Sequence, residues 1–127
     1  MANSASVLGA GYTRSTPVRI AIRSGGSVIF LESSEVVAVE AQGNCVLIKT
    51  SSRSQPARES VSAIEEKLKP YGFVRIHRST IINEALVEEI RTLKSGVMWV
   101  RIKGTDKEYS VSRRYRSAVN RLAPAWI

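Results

Sequence analysis

The sequence predicts a mainly β domain with two short helices, and three observations predict it. Apolar and polar residues alternate over short stretches, the period of a strand with one buried face. Turn residues, several of them glycines, separate those stretches at intervals too short for helices. Only two stretches carry an apolar stripe at helical spacing. With 127 residues, 43% of them hydrophobic, the chain has room for one domain and a sizeable core.

Residues 1–17 (MANSASVLGAGYTRSTP) show neither period and read as a flexible N-terminal tail, leaving residues 18–124 as the folded domain. Val18, Ile20 and Ile22 alternate with Arg19, Ala21 and Arg23 as in a half-buried strand. Ser24-Gly25-Gly26-Ser27 is a hairpin turn leading into the apolar run Val28–Leu31. Glu35–Ala41 and Cys45–Lys49 are the next strands, joined by Gln42-Gly43-Asn44, a turn that tolerates positive φ.

Val61, Ile64 and Leu68 then recur at helical spacing, and Pro70-Tyr71-Gly72 stops the run. Ser60 or Ser62 can cap this helix; Ser62 with Glu65 makes a capping box. Strands return at Phe73–Ile76, Ile81–Ile82, Val87–Leu93, Val97–Lys103 and Glu108–Val111, with turns at Lys94-Ser95-Gly96 and Gly104-Thr105-Asp106. Ser112 is a good N-cap for a last helix, Arg113–Leu122, ended by Pro124. Tyr115, Ala118, Val119 and Leu122 form its core-facing stripe.

No apolar run approaches the ~20 residues of a membrane span, and the N-terminus lacks the basic-then-apolar order of a secretory signal. The expectation is a cytoplasmic protein without membrane insertion. One cysteine, Cys45, excludes an internal disulfide and a multi-thiolate zinc site. Within its strand Cys45 reads as a small buried hydrophobe. The lone histidine, His77, has no second ligand at metal-binding spacing and no triad-like motif around it. It is either a hydrogen-bonded structural residue or part of a phosphate-contacting loop. Gly25-Gly26 lacks the flanks of a dinucleotide site, and Glu65-Glu66 and Glu88-Glu89 are adjacent pairs that do not converge. The expectation is therefore no catalysis, no metal and no cofactor.

The charge points elsewhere. The formal balance is +8, with a pI near 10.2. Residues 61–127 carry thirteen bases against seven acids, so most of the excess lies there. A polyanion is the natural partner of such a surface. Arg113, Arg114 and Arg116 crowd the first turn of the last helix, where the helix dipole is already positive. That crowding is relieved by an anion such as phosphate. Trp99, Arg101 and Lys103 would share one strand face, a minor alternative that stacks single-stranded nucleic acid.

Three stretches then combine: Val39-Glu40-Ala41-Gln42-Gly43-Asn44, Phe73-Val74-Arg75-Ile76-His77-Arg78-Ser79-Thr80-Ile81-Ile82-Asn83, and Val111-Ser112-Arg113-Arg114-Tyr115. In this order, between about Arg19 and Leu122, they closely resemble the LytTR family of bacterial DNA-binding domains. The resemblance implies an elongated arrangement of small β-sheets with one or two short helices. It implies loops that enter successive major grooves of double-stranded DNA, typically at promoters with paired repeats. Carried over, the first reading loop is Gln42–Cys45, with Asn44 the contact; the second is His77, Arg78 and Ser79; the third is Arg113 and Arg114.

Asn44, Arg78 and Arg113 are the expected base contacts; for the two arginines the physical reason is bidentate pairing with guanine. Gln42, Lys49, His77, Ser79, Arg114 and Arg116 are the expected phosphate or supporting residues. Cys45 departs from the aromatic or histidine usual at its position. No receiver domain is read from the sequence, so the expectation is a stand-alone member, regulated by a protein partner or by abundance, or a fragment. The expected role is sequence-specific transcription regulation in bacteria, with a homodimer forming on DNA. A basic RNA-binding or ribosome-associated β-domain is the alternative, and a protein-interaction module is a third class.

Overall fold

The computed structural model describes residues 18–122. The expected tail, residues 1–17, and the stop at Pro124 lie outside the described residues. Ten strands and two short α-helices are arranged in three antiparallel sheets, the mainly β class that the sequence predicts.

A central sheet of five strands holds the rest together. Its strands are β3 (Val36–Gln42), β4 (Cys45–Thr50), β5 (Ser54–Ala57), β6 (Phe73–His77) and β7 (Thr80–Asn83), in the order β5-β4-β3-β7-β6. The hairpin of β1 (Arg19–Ser24) and β2 (Ser27–Glu32) and the helix α1 (Val61–Leu68) contribute Ile20, Ile22, Leu31, Ile64 and Leu68 to a first core. Val39, Ile48, Phe73 and Ile81 of the central sheet meet them there. A second core forms against β8 (Val87–Thr92), β9 (Met98–Ile102) and β10 (Glu108–Val111) and the helix α2 (Arg116–Asn120). Val37, Ala38, Ile76 and Ile82 face Met98, Val100, Ile102, Tyr109 and Val119 in it.

The central sheet is thus buried on both faces, which is why Val36–Val39 is an unbroken apolar run rather than an alternating one. A register shift between Val36 and Ala38 in the β3–β4 ladder lets Val37 and Ala38 serve the same core.

Local chemistry explains where the elements differ from the sequence reading. Ser60, not Ser62, caps α1, its side chain accepting from Ala63 N–H at 3.0 Å. The Ser62–Glu65 capping box does not form, because both side chains accept from Arg75 instead. The sequence reading gives no strand at β5, because Pro56 and the polar Ser54 and Gln55 hide its pattern. As an edge strand it can hold a proline. The last helix is not one α-helix from Arg113 to Leu122: a 3-10 turn, Arg113–Tyr115, precedes a five-residue α2. Ser112 stands at its N-cap with extended backbone, but its side chain makes no capping bond.

Candidate nucleic-acid interface

Three turns meet along one side of the central sheet. The first is Gly43-Asn44 between β3 and β4, where Gly43 takes φ +60° and Asn44 stands exposed at the tip. The second is Arg78-Ser79 between β6 and β7. β3 and β7 are neighbours, and Ala41 N–H donates to the Ser79 carbonyl at 2.8 Å, so these two turns lie side by side. The third segment follows β10. Ser112 N–H donates to the Ile76 carbonyl at 2.9 Å, which anchors Arg113 and Arg114 beside the end of β6. A groove between the two larger sheets is lined by Gln42, His77, Ser79, Trp99, Lys107 and Ser110.

Arg75 shapes the second turn. Its guanidinium donates to the His77 carbonyl at 3.3 Å and to the Arg78 carbonyl, and reaches Ser62 Oγ at 3.0 Å and Glu65 Oε1 at 3.1 Å. It also lies over the Tyr115 ring at 5.9 Å. One fixed side chain therefore links the turn, α1 and the third segment. A register shift between Arg75 and His77 opens the ladder there, so the loop departs from the plain hairpin path. Inside the turn, His77 Nδ1 accepts from Ser79 N–H at 3.2 Å and lies 2.9 Å from Ser79 Oγ. His77 is thus hydrogen-bonded within the loop, the first of the two readings of it.

Below the first turn lies a buried carboxylate, Glu40. Its Oε1 accepts from Lys107 Nζ at 2.7 Å and Gln42 Nε2 at 2.9 Å, and its Oε2 from the Tyr109 hydroxyl at 2.5 Å. Lys49 Nζ stands 3.8 Å from Oε2. Burial alone pushes this carboxyl up; the hydrogen bonds from Lys107, Tyr109 and Gln42 outweigh it and hold the group below its ordinary value. Burial, then the bond to Glu40, pushes the Tyr109 hydroxyl well above its ordinary range. Because Glu40 is on β3 and Tyr109 on β10, the cluster joins the two sheets that carry the turns.

The expected site residues fall into two groups. Asn44, Arg78, Arg113 and Arg114 are exposed, and among the described residues the three arginines form no ion pair. Arg114 lies over Tyr115 at 5.7 Å. Gln42, Lys49, His77 and Ser79 are held by internal bonds at or beneath the turns. Arg116 is half-buried, its guanidinium directed at the turn before β9, where a Cβ on Gly96 would stand 3.6 Å from Nη1. Its Nε is buried without a partner.

Three readings are corrected. With α2 only five residues long, the dipole that would draw an anion to its first turn is weak, so the arginines there act by their own charge. Cys45 is exposed, not buried: it opens β4 opposite Gln42, outside both cores. Trp99, Arg101 and Lys103 do not share one strand face, since β9 ends at Ile102 and Lys103 stands in the following turn, while Arg101 pairs with Glu88 and Glu89. Sequence reasoning also missed Arg75, Lys107 and Tyr109 and gave Glu40 no role. The signal was available: an acid inside an apolar strand run must find donors when buried.

Comparison with known proteins agrees with the geometry. The chain is 25% identical over 104 residues to the sensory transduction protein LytT of Bacillus subtilis, covering 82% of this chain and 43% of that one. It is 27% identical over 103 residues to the CO-responsive transcriptional regulator RcoM of Rhodospirillum rubrum, covering 81% and 42%. The chain therefore spans less than half the length of these relatives. Among solved structures, the LytTr DNA-binding domain of a Bacillus cereus response regulator superposes with a TM-score of 0.69 at 19% identity. That likeness covers 85% of this chain and 97% of that one and shows the shared fold. The LytTr DNA-binding domain pattern matches residues 26–123, most of the chain. With three turns set side by side on stacked small sheets and a match over that length, this chain belongs to the LytTr DNA-binding domain family.

Proposed function

We propose that this domain binds duplex DNA sequence-specifically through its three turns and acts in transcription regulation, without catalysis. The observation that carries the reading is the row of exposed Arg78, Arg113 and Arg114, without an ion pair among the described residues, beside Asn44, set on turns that internal bonds hold in place. Guanidinium groups free of carboxylates can pair with guanine O6 and N7, and an asparagine amide with adenine N6 and N7. Arg78 and Arg113 take the first role and Asn44 the second. Arg114 and Arg116 position phosphates. Gln42, Lys49, His77 and Ser79 support the turns. Fixing the turns before binding lowers the ordering cost, which favours a specific over a merely electrostatic complex.

The domain so read covers residues 18–124, works in the cytoplasm, and recognises paired repeats as two copies, with a regulatory protein as a further partner. Among the described residues, no helix is long and apolar enough to cross a membrane.

The test is selection of bound duplexes from a random pool, with the winners retested against scrambled duplex and RNA across salt concentrations. A recovered paired motif, bound ~10³-fold or more above scrambled DNA, is the expected result. Equal binding to all nucleic acids with a steep salt slope would leave only a basic surface.

A further inference from the structure

A cleft of about 660 Å³ opens between the central sheet and the three-stranded sheet, at the end away from the reading turns. Two ladders fix its place. Thr50 pairs with Val36 at one end of the β3–β4 ladder, and Cys45 with Gln42 at the other, beside the first turn. Val87 pairs with Ile102 at one end of the β8–β9 ladder; at the other, Met98 faces Val111, just before the third segment. Ser51, Ser52 and Arg53 line the cleft on the central-sheet side, and Leu86 and Lys103 on the opposite side.

The walls are set before anything binds. Thr50 N–H donates to the Arg53 carbonyl at 2.9 Å, and Arg53 N–H to Thr50 Oγ1 at 3.2 Å, closing the turn after β4. Lys103 N–H donates to the Leu86 carbonyl at 2.8 Å. Gly104 presses the turn after β9 onto the central sheet: a Cβ there would stand 3.0 Å from Val37 Cγ2 and 3.9 Å from Ser51 Cβ. A preformed cavity of this size falls within the roughly 300–1,000 Å³ of small-molecule sites and leaves little to order on binding.

The lining joins an apolar inner surface to unbalanced positive charge. Val37 is buried and Leu86 half-buried. Other bases on these sheets are neutralised: Lys49 and Lys107 by Glu40, Arg91 by Glu108, and Arg101 by Glu88 and Glu89. Arg53 and Lys103 are exposed and, among the described residues, form no ion pair. The acid in the lining, Glu35, is turned to its own backbone, its Oε1 accepting from Glu32 N–H at 3.4 Å. Two cations and the Ser51 and Ser52 hydroxyls therefore face the cleft without a matching anion.

We propose that this cleft is an effector site for a small organic anion. A carboxylate or phosphate group lies with Arg53 and Lys103, and an apolar body lies against Val37 and Leu86. The two cations stand on different sheets, so the ligand's contacts depend on how those sheets sit. It thereby biases the spacing of the reading turns at their far ends. That regulatory part rests on the DNA reading above; the binding part does not.

The test titrates the full chain with phenyl phosphate, benzoate and, as the uncharged control, benzyl alcohol, to roughly 10 mM, by amide chemical shifts. The expected result is saturable shifts at Val37, Ser51, Arg53, Leu86 and Lys103 with both anions and not with the alcohol. Arg53→Ala and Lys103→Ala, at exposed side chains, should each bind the anions about tenfold or more weakly with the rest of the spectrum unchanged. Saturating phenyl phosphate should alter the affinity for a selected duplex about fivefold or more in the wild type and not in Arg53→Ala. No saturable shift, shifts centred on Arg78, Arg113 and Arg114, or variants that bind equally well overturn the site. Cleft shifts with duplex affinity unchanged overturn its regulatory role. A chain without duplex preference before any probe is added fails the DNA reading, and the regulatory role falls with it, while the titration still decides the site.

Discussion

Replacing Glu40 by glutamine removes one charge from the heart of the domain while keeping its shape. The carboxylate has two ends with separate partners: Oε1 faces Lys107 and Gln42, and Oε2 faces Tyr109. A glutamine side chain can offer an oxygen to only one of these ends. Turned towards Lys107 and Gln42, it leaves the Tyr109 hydroxyl, 5% exposed with its residue, with no acceptor for its proton. Turned the other way, it strands two donors. The cheaper choice still forfeits a bond to a charged acceptor, about 1.5–3 kcal/mol. Lys107 and Lys49 are partly exposed and recover hydration, so the larger penalty of a stranded buried charge does not apply.

The expected destabilisation of Glu40→Gln is thus ~2–3 kcal/mol at pH 7, or roughly 10–20 °C in Tm for a domain of this size. The pH dependence supplies the sharper test. Glu40 is depressed on folding, so its contribution is full above the ordinary carboxylate value of 4.5. It is lost as pH falls through the depressed folded value. Glutamine mimics the protonated acid. Urea titrations of both proteins from pH 7 downward should therefore show the difference shrinking on the acid side of 4.5. A loss under ~0.5 kcal/mol at pH 7, or a gap constant down to the acid limit, would refute the role given to this cluster.

Other perturbations separate reading, positioning and packing. Arg113→Ala should relax preference at one base position by ~1–3 kcal/mol, scored by competition among single-substituted duplexes. Arg114→Ala and Arg116→Ala should each weaken all sequences about equally and lower the slope of log K against log salt by roughly one; an unchanged slope removes that residue from the phosphate contacts. Arg75→Lys cannot bridge both turn carbonyls and Glu65 at once, so DNA affinity should fall about tenfold or more although Arg75 touches no base. Isothermal titration beside a urea melt would separate that loss from unfolding. Gly104→Ala should destabilise by ~1–3 kcal/mol, since φ is +91° and the new Cβ would stand 3.0 Å from Val37 Cγ2. A thermal melt reads it directly.

Much of this architecture is legible in the residues. Ile20, Ile22 and Leu31 announced a half-buried hairpin, and Val61, Ile64 and Leu68 a helix against it, because period alone identifies an element buried on one face. Elements governed by tertiary partners were harder. Ser54–Ala57 carries no strand pattern and exists because β4 offers it an edge. Ser62 and Glu65 have a capping-box spacing, yet a guanidinium thirteen residues from Ser62 recruits both. The turns carrying Asn44, Arg78 and Arg113 could be named from local motifs. That they meet depends on the Ala41–Ser79 and Ser112–Ile76 bonds, which no local pattern encodes. Cys45 misled for a related reason: strand alternation gives its face, but not whether anything packs on that face.

The most direct test of the three-turn interface is a titration of amide chemical shifts in the domain, with a duplex recovered by selection. The account predicts the largest shifts at Gln42–Cys45, at His77–Ser79 and at Ser112–Arg114 together, with the β1–β2 hairpin and α1 little changed. Shifts centred elsewhere, or spread evenly over every basic residue, would contradict it.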